Sequence, residues 1–298
     1  MGSRFVTIVS VLSIVWFAQC NQPRLNENTD DSVSNNNIVK PTKPVHYHAL
    51  SMKDSGMTKL NTSYDTNQQR VIFALNRIDK VHALKTDTLI VPDDVEPNIN
   101  LYSPFPQSLP FLDSVNKIIF FSYPAEAFAA YEHGRLVRWG ATNMGRKKDP
   151  TPTGLTYVNW KKLVDTSSVK EEWILKWNVN IFNKGGIGFH EYDMPGYPAS
   201  HSCLRLSALD AEYLYGWVDE WIMEGENKIV AHGTPVIIFG HYPFGSPKPW
   251  RALLQNPKAL DISANELQSL VKPNLQQIIN EQRKLTAALA AKQQHVYQ

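Results

Sequence analysis

The stretch from Gly188 to Leu206, GFHEYDMPGYPASHSCLRL, concentrates side chains that can do chemistry. They are His190, His201, Cys203 and Arg205, interrupted by the turn formers Pro195, Gly196 and Pro198. A cysteine attacks as its thiolate, and an ordinary thiol with a pKa of about 8.5 is only a few per cent ionised at neutral pH. A histidine within hydrogen-bond reach makes up that deficit by taking the proton. Arg205 lies two residues beyond Cys203, on the same side of an extended segment because strand side chains alternate. A guanidinium there suits a carboxylate.

Each of these residues also has a plainer reading. Cys203 could be a buried structural thiol, the usual state of an unpaired cysteine. His190 alone could be a hydrogen-bonded core histidine, and Arg205 could serve only a salt bridge. His201 reads better as support for the site than as its base. Tyr192 and Tyr197 either line a cleft or simply pack. His190, Asp193, His201 and Cys203 also offer zinc-type donors, but their spacing matches no recognisable zinc pattern. The residues call for no metal and no organic cofactor.

The elements around this stretch must bring its two ends together. From Lys117 the sequence turns to β texture. Strand candidates are Lys117–Tyr123, Phe128–Tyr131, Arg135–Trp139, Leu155–Trp160, Trp173–Phe182 and Ile187–His190, with Glu132-His133-Gly134 as a turn. Asp210–Met223 has helical spacing at Leu214, Trp217, Trp221 and Ile222. Thr234–Phe239 reads as a buried strand, and Ser263 to about Ala291 as one long amphipathic helix. His190 would end one strand and Cys203 would begin the next, facing each other across the loop. Upstream, Val71–Ile90 suggests a short helix and then a strand ending at Val91-Pro92.

Composition and the N-terminus bound the setting. The chain has 298 residues, a formal charge of +2 and 43% hydrophobic residues, which argues for a globular core and against a nucleic-acid binder. Arg4 precedes an apolar run from Phe5 to Ala18, too short to span a bilayer and typical of an export signal. The chain has two cysteines, Cys20 and Cys203. In an oxidising compartment Cys203 would therefore stand without a partner, which invites a chemical explanation. The polar stretch that follows the apolar run, with Asn35-Asn36-Asn37 at its centre, reads as a flexible tether.

Taken together, Ser200-His201-Ser202-Cys203-Leu204-Arg205 with His190 upstream resembles the catalytic signature of the YkuD-type L,D-transpeptidase family. Thr151-Pro152-Thr153-Gly154, Asp210-Ala211 with Leu214-Tyr215, and Gly233-Thr234-Pro235-Val236 match its flanking elements in order. The resemblance implies an α+β, β-rich fold, a YkuD-type β-sandwich with a packed helix, here followed by a C-terminal amphipathic helix. It implies peptidoglycan stem peptides as partners, Cys203 as nucleophile and His190 as base. It further implies backbone N–H groups near Ser202 and Cys203 as oxyanion donors, His201 in support, the Glu191 carbonyl orienting the His190 ring, and Arg205 on the substrate. Phe17-Ala18-Gln19-Cys20 resembles a lipobox, with Cys20 as the lipidated residue anchoring the protein to a membrane of the cell envelope, in or facing the periplasm.

The resulting division is a signal at 1–19, a tether at 20–69, a lead-in module at 70–115, a catalytic domain at 116–240 and a C-terminal extension at 241–298. Ser202 departs from the family's usual glycine; the expectation is that the position needs only a small residue and not a positive φ. A carboxypeptidase or amidase on the same stem peptides, and a non-catalytic wall-binding lipoprotein, are the alternatives.

Overall fold

Ordered structure starts earlier than the polar composition suggests. A computed structural model describes residues 44–167 and 172–296, with side chains to 292. The export signal, Cys20 and the first part of the tether lie outside the described residues. From Tyr47 the expected tether is instead folded: β1 (Tyr47–Ser51), α1 (Gly56–Ser63) and α2 (Thr66–Asn76), followed by α3 (Lys80–Ala83) and β2 (Thr88–Pro92). Sequence windows hide this because β1 finds its antiparallel partner only in β2, and α1 buries little besides Leu60. The start of α2 is set locally. Asp65 accepts from the Asn67 and Gln68 N–H groups while the Gln68 side chain accepts from the Asp65 N–H, a reciprocal cap.

The site is carried by a large sheet. Its strands are β3 (Lys117–Ser122), β4 (Ala127–Glu132), β5 (Arg135–Asn143), β6 (Gly154–Tyr157), β7 (Lys161–Thr166), β8 (Ile174–Phe182), β9 (Ile187–Glu191) and β10 (Leu204–Leu206). Then come α4 (Ala208–Trp217), the β11 (Ile222–Glu224) and β12 (Lys228–Ala231) hairpin, β13 (Pro235–Phe239), α5 (Ala264–Val271) and α6 (Leu275–Val296). Among the described residues the sheet order is β6-β13-β3-β4-β5-β10-β9-β8-β7.

The sheet folds over itself into a sandwich. Ile119, Phe121, Phe128, Val236 and Ile238 meet Val179, Ile181, Phe189, Leu204 and Leu206, with Ala211 and Leu214 of α4 closing the layer. The alternate residues of the same central strands, Ile118, Phe120, Ala129, Tyr131, Ile237 and Phe239, face outward. There they are covered by α2, Tyr102, Phe105, Trp250, Leu253, α5 and α6. Burial on both faces explains why β3 and β13 read as unbroken apolar runs. The lead-in and the C-terminal extension are thus a third layer on the 116–240 sheet, not separate modules, and all described residues fall in one compact unit.

Three expectations about elements need correction. The C-terminal helix is interrupted: Lys272–Asn274 forms a 3-10 turn at Pro273 between α5 and α6. The helix expected over Asp210–Met223 ends at Trp217, where Val218 turns extended, and Ile222 pairs with Ala231 instead. β7 lacks an apolar strand pattern because it is an edge strand carrying Lys161, Lys162 and Asp165, the charged composition that edges use against aggregation. No helix among the described residues is long and apolar enough to cross a membrane.

Candidate active site

β9 and β10 run parallel, with His190 in register with Arg205 and Phe189 with Leu204. Parallel neighbours need a crossover of about a dozen residues, and here the loop from Tyr192 to Cys203 supplies it. Phe189 and Leu204 point into the sandwich. Alternation therefore places His190 and Arg205 together on the other face, with Cys203 at the entrance to β10 beside Gly188. The Gly188 N–H favours the Cys203 thiolate. A side chain at Gly188 would strike the Val179 carbonyl oxygen at 2.2 Å, so only glycine lets β8 approach this closely.

His190 is 4% exposed, and its Nδ1 hydrogen-bonds to the Glu191 carbonyl at 2.8 Å. A carbonyl only accepts, so Nδ1 carries the proton and Nε2 holds the lone pair. Burial, helped by the Arg205 cation and opposed by the Glu191 carbonyl, pushes the His190 pKa down to about 4. Burial pushes the Cys203 thiol up, while the Gly188 N–H and Arg205 pull it back. Both groups are therefore neutral at pH 7. Among the described residues, no hydrogen bond joins the imidazole to the thiol.

Arg205 donates from Nη1 to the Asp193 carbonyl at 3.3 Å and lies 4.5 Å from the Tyr192 ring centroid. Tyr192 in turn meets His190 edge-on at 5.9 Å. The His201 ring lies against Trp173 at 5.2 Å. Glu191 contributes its carbonyl to the site. His190, Asp193, His201 and Cys203 do not converge, and the described residues hold no group of three or more acidic, His or Cys side chains placed to share a metal ion.

Ser202 overturns one expectation. Its φ is 79°, in the left-handed region that glycine favours, so the position does demand positive φ. The Ser202 carbonyl accepts from Thr151 Oγ1 at 2.8 Å, and its hydroxyl donates to the Asp149 carbonyl at 3.3 Å. Serine is held there against a local cost of roughly 1–2 kcal/mol.

Residues 116–238 match the family model of the L,D-transpeptidase catalytic domain, YkuD. The segment belongs to that family. The match covers less than half of the chain. Solved structures similar to the chain include an L,D-transpeptidase from Stackebrandtia nassauensis, at 20% identity over 43% of this chain and 57% of that one, TM-score 0.35. One from Mycobacterium smegmatis shows 20% identity over 42% and 59%, TM-score 0.34. One from Xylanimonas cellulosilytica shows 22% over 57% and 79%, TM-score 0.39. The chain thus spans under two thirds of the first two. No curated protein matches.

In this L,D-transpeptidase domain several positioning residues carry no obvious sequence signal. Asn143 Oδ1 accepts from the Ala199 N–H at 3.2 Å, and its amide donates to the Tyr197 carbonyl. Ser200 N–H donates to the Met144 carbonyl and Arg146 N–H to the Ser200 carbonyl. Asp79, beyond the end of α2, accepts from the Met194 N–H at 2.8 Å, and its own N–H donates to the Met194 carbonyl. The lead-in therefore clamps the crossover loop. Thr151 was visible as part of a flanking motif, but not as the partner of Ser202. Its hydroxyl also accepts from the Gly145 N–H, and the Tyr123 hydroxyl ties the Gly145 carbonyl to the Thr151 N–H.

Proposed function

We propose that the protein is a peptidoglycan L,D-transpeptidase working through a Cys203 thioester. The observation that supports this reading is the β9–β10 register, which pairs His190 with Arg205, two residues beyond Cys203, with Nδ1 hydrogen-bonded to the Glu191 carbonyl and Nε2 left to act as base. Nε2 takes the thiol proton as sulfur attacks the carbonyl of the third stem residue, typically diaminopimelate. The Ser202 and Cys203 N–H groups receive the oxyanion, a contribution of about 3–4 kcal/mol per donor. His190 returns the proton to the departing D-Ala amine. An amine of a second stem then attacks the thioester, and His190 takes its proton and hands it to the leaving thiolate, giving a 3→3 crosslink. Arg205 holds a substrate carboxylate, and His201 supports the turn.

Both groups being neutral at rest fits proton transfer concerted with attack, not a preformed ion pair. The imidazole–thiol hydrogen bond forms in the substrate complex, where such contacts often tighten. The export signal and a lipid on Cys20 complete the reading by placing the enzyme at the cell envelope, bound to a membrane.

Digesting peptidoglycan after incubation with the purified protein, and separating the muropeptides, tests the acceptor. Dimers crosslinked 3→3 support transfer. Tripeptides without dimers would replace it with hydrolysis on the same thioester, and unchanged tetrapeptides would leave only wall binding.

A further inference from the structure

Tyr192 also lines a cavity of about 690 Å³, walled by α2, the segment after β9 and the start of α4. That volume lies within the usual range for ligand sites. Phe73, Ile78 and Met194 form its apolar side, and its charged lining is mixed: Arg70, Lys80 and Lys176 face Asp79, Glu191, Asp193 and Asp210. Arg70 reaches Asp210 only at 3.5 Å, and its buried Nη2 has no hydrogen-bond partner among the described residues.

The Asp210 carboxylate is already engaged. Arg138 donates to Oδ1 from Nε at 2.9 Å and from Nη2 at 2.6 Å, and the Ser207 hydroxyl donates to Oδ2 at 2.7 Å. Two guanidinium groups thus share one carboxylate, and the one lining the cavity has the looser contact. Burial and the neighbouring Arg138 cation lower the Arg70 pKa and outweigh the Asp210 carboxylate, which raises it, so a further anion would be favourable here.

We propose that this cavity binds a peptide bearing a free carboxylate, the carboxylate on Arg70 and the apolar portion against Phe73, Ile78 and Met194. The shared Tyr192 wall, which also packs on His190 and Arg205, sets such an occupant next to the proposed acyl-transfer site. Arg70 and α2 lie outside residues 116–238, so the site is an addition made by this chain's own lead-in. Taking a stem peptide as the occupant rests on the function proposed above.

The test uses the Cys203→Ala protein, in which binding is read without turnover. Calorimetric titration with L-Ala-γ-D-Glu-diaminopimelate-D-Ala is expected to show affinity that falls at least tenfold in R70Q and is partly kept in R70K. Melting curves establish that the variants fold. If R70Q proves unstable, the same peptide with its carboxylates amidated is expected to lose at least tenfold on the Arg70 protein, and to lose as much when Arg205→Gln is also present, so that the loss is not owed to Arg205. Equal affinity in R70Q, equal affinity for the amidated peptide, or no binding at all overturns the proposal. Adduct formation by imipenem on wild-type Cys203, read by intact mass, tests the acyl-transfer reading separately. Arg70-dependent binding without that adduct would leave the site standing and remove the chemistry.

Discussion

Thr151 holds Ser202 in a conformation that serine disfavours: the hydroxyl donates to the Ser202 carbonyl at 2.8 Å while Ser202 sits at φ 79°, directly before the proposed nucleophile. The hydrogen bond and the strain act on one peptide unit, and that unit sets where the Cys203 N–H and sulfur point.

Replacing Thr151 with Val keeps the shape and removes the bond. The buried Gly145 N–H loses its acceptor as well, so destabilisation of about 1–3 kcal/mol is expected. Adduct formation at Cys203 by imipenem should slow by roughly tenfold or more, because one weakened orienting contact of about 1.4 kcal/mol is a factor of ten. Melting temperature and adduct rate read the two effects apart. An adduct rate equal to wild type would mean that Thr151 serves stability alone.

Ser202→Gly removes the left-handed penalty at the loss of a peripheral hydroxyl contact to Asp149. Stability should rise by about 1 kcal/mol, a melting shift of roughly 2–4 °C for a domain of this size. A lower melting temperature would show that the serine hydroxyl contributes more than its backbone costs.

Acidity should act on the fold through His190. Its folded pKa near 4 lies below the ordinary value near 6.5, so the unfolded chain binds the extra proton first. Stability is therefore full above about pH 6.5 and falls as the pH drops towards 4, by up to roughly 1.4 kcal/mol per unit. His190→Gln should flatten that window in urea titrations. The matching kinetic expectation is that alkylation of Cys203 by iodoacetamide keeps rising above the ordinary thiol range, with no step near pH 6.5. A plateau beginning near neutrality would instead indicate a resting thiolate–imidazolium pair.

Asp79→Ala frees the crossover loop at Met194 without touching the reacting groups. The expected result is weaker substrate use, KM raised several-fold with a smaller change in kcat. A change confined to kcat would place Asp79 closer to the chemistry than its contacts indicate.

Cys20→Ala should move the protein from the membrane fraction to the soluble fraction while the catalytic domain stays folded. Unchanged fractionation would remove the lipid anchor from the account.

Some of this was legible in the sequence and some was not, for physical reasons. β3, β4 and β13 were readable because strands buried on both faces are largely apolar, whereas of the residues spaced for a helix over Asp210–Met223 only Leu214 and Trp217 fall inside α4. His190, Cys203 and Arg205 could be singled out because their chemistry is rare in combination. β1, α1 and the third layer were not readable, since their apolar partners lie far along the chain: Gln282 of α6, for example, bonds the Asn116 N–H and the Lys117 carbonyl at the start of β3. Asp79 and Asn143 bind backbone groups of the crossover loop, and nothing in their local sequence distinguishes them from other loop polar residues. The φ of Ser202 was misjudged because a left-handed requirement is set by the Thr151 contact, which only the fold reveals.

The account stands most directly on intact-protein mass spectrometry after brief incubation with the tetrapeptide donor. Wild type should gain the mass of a donor that has lost D-Ala, and Cys203→Ala should gain nothing. His190→Gln should accumulate the adduct far more slowly. An adduct of equal yield on Cys203→Ala, or none on wild type under conditions where the donor is consumed, would contradict acyl transfer through this sulfur.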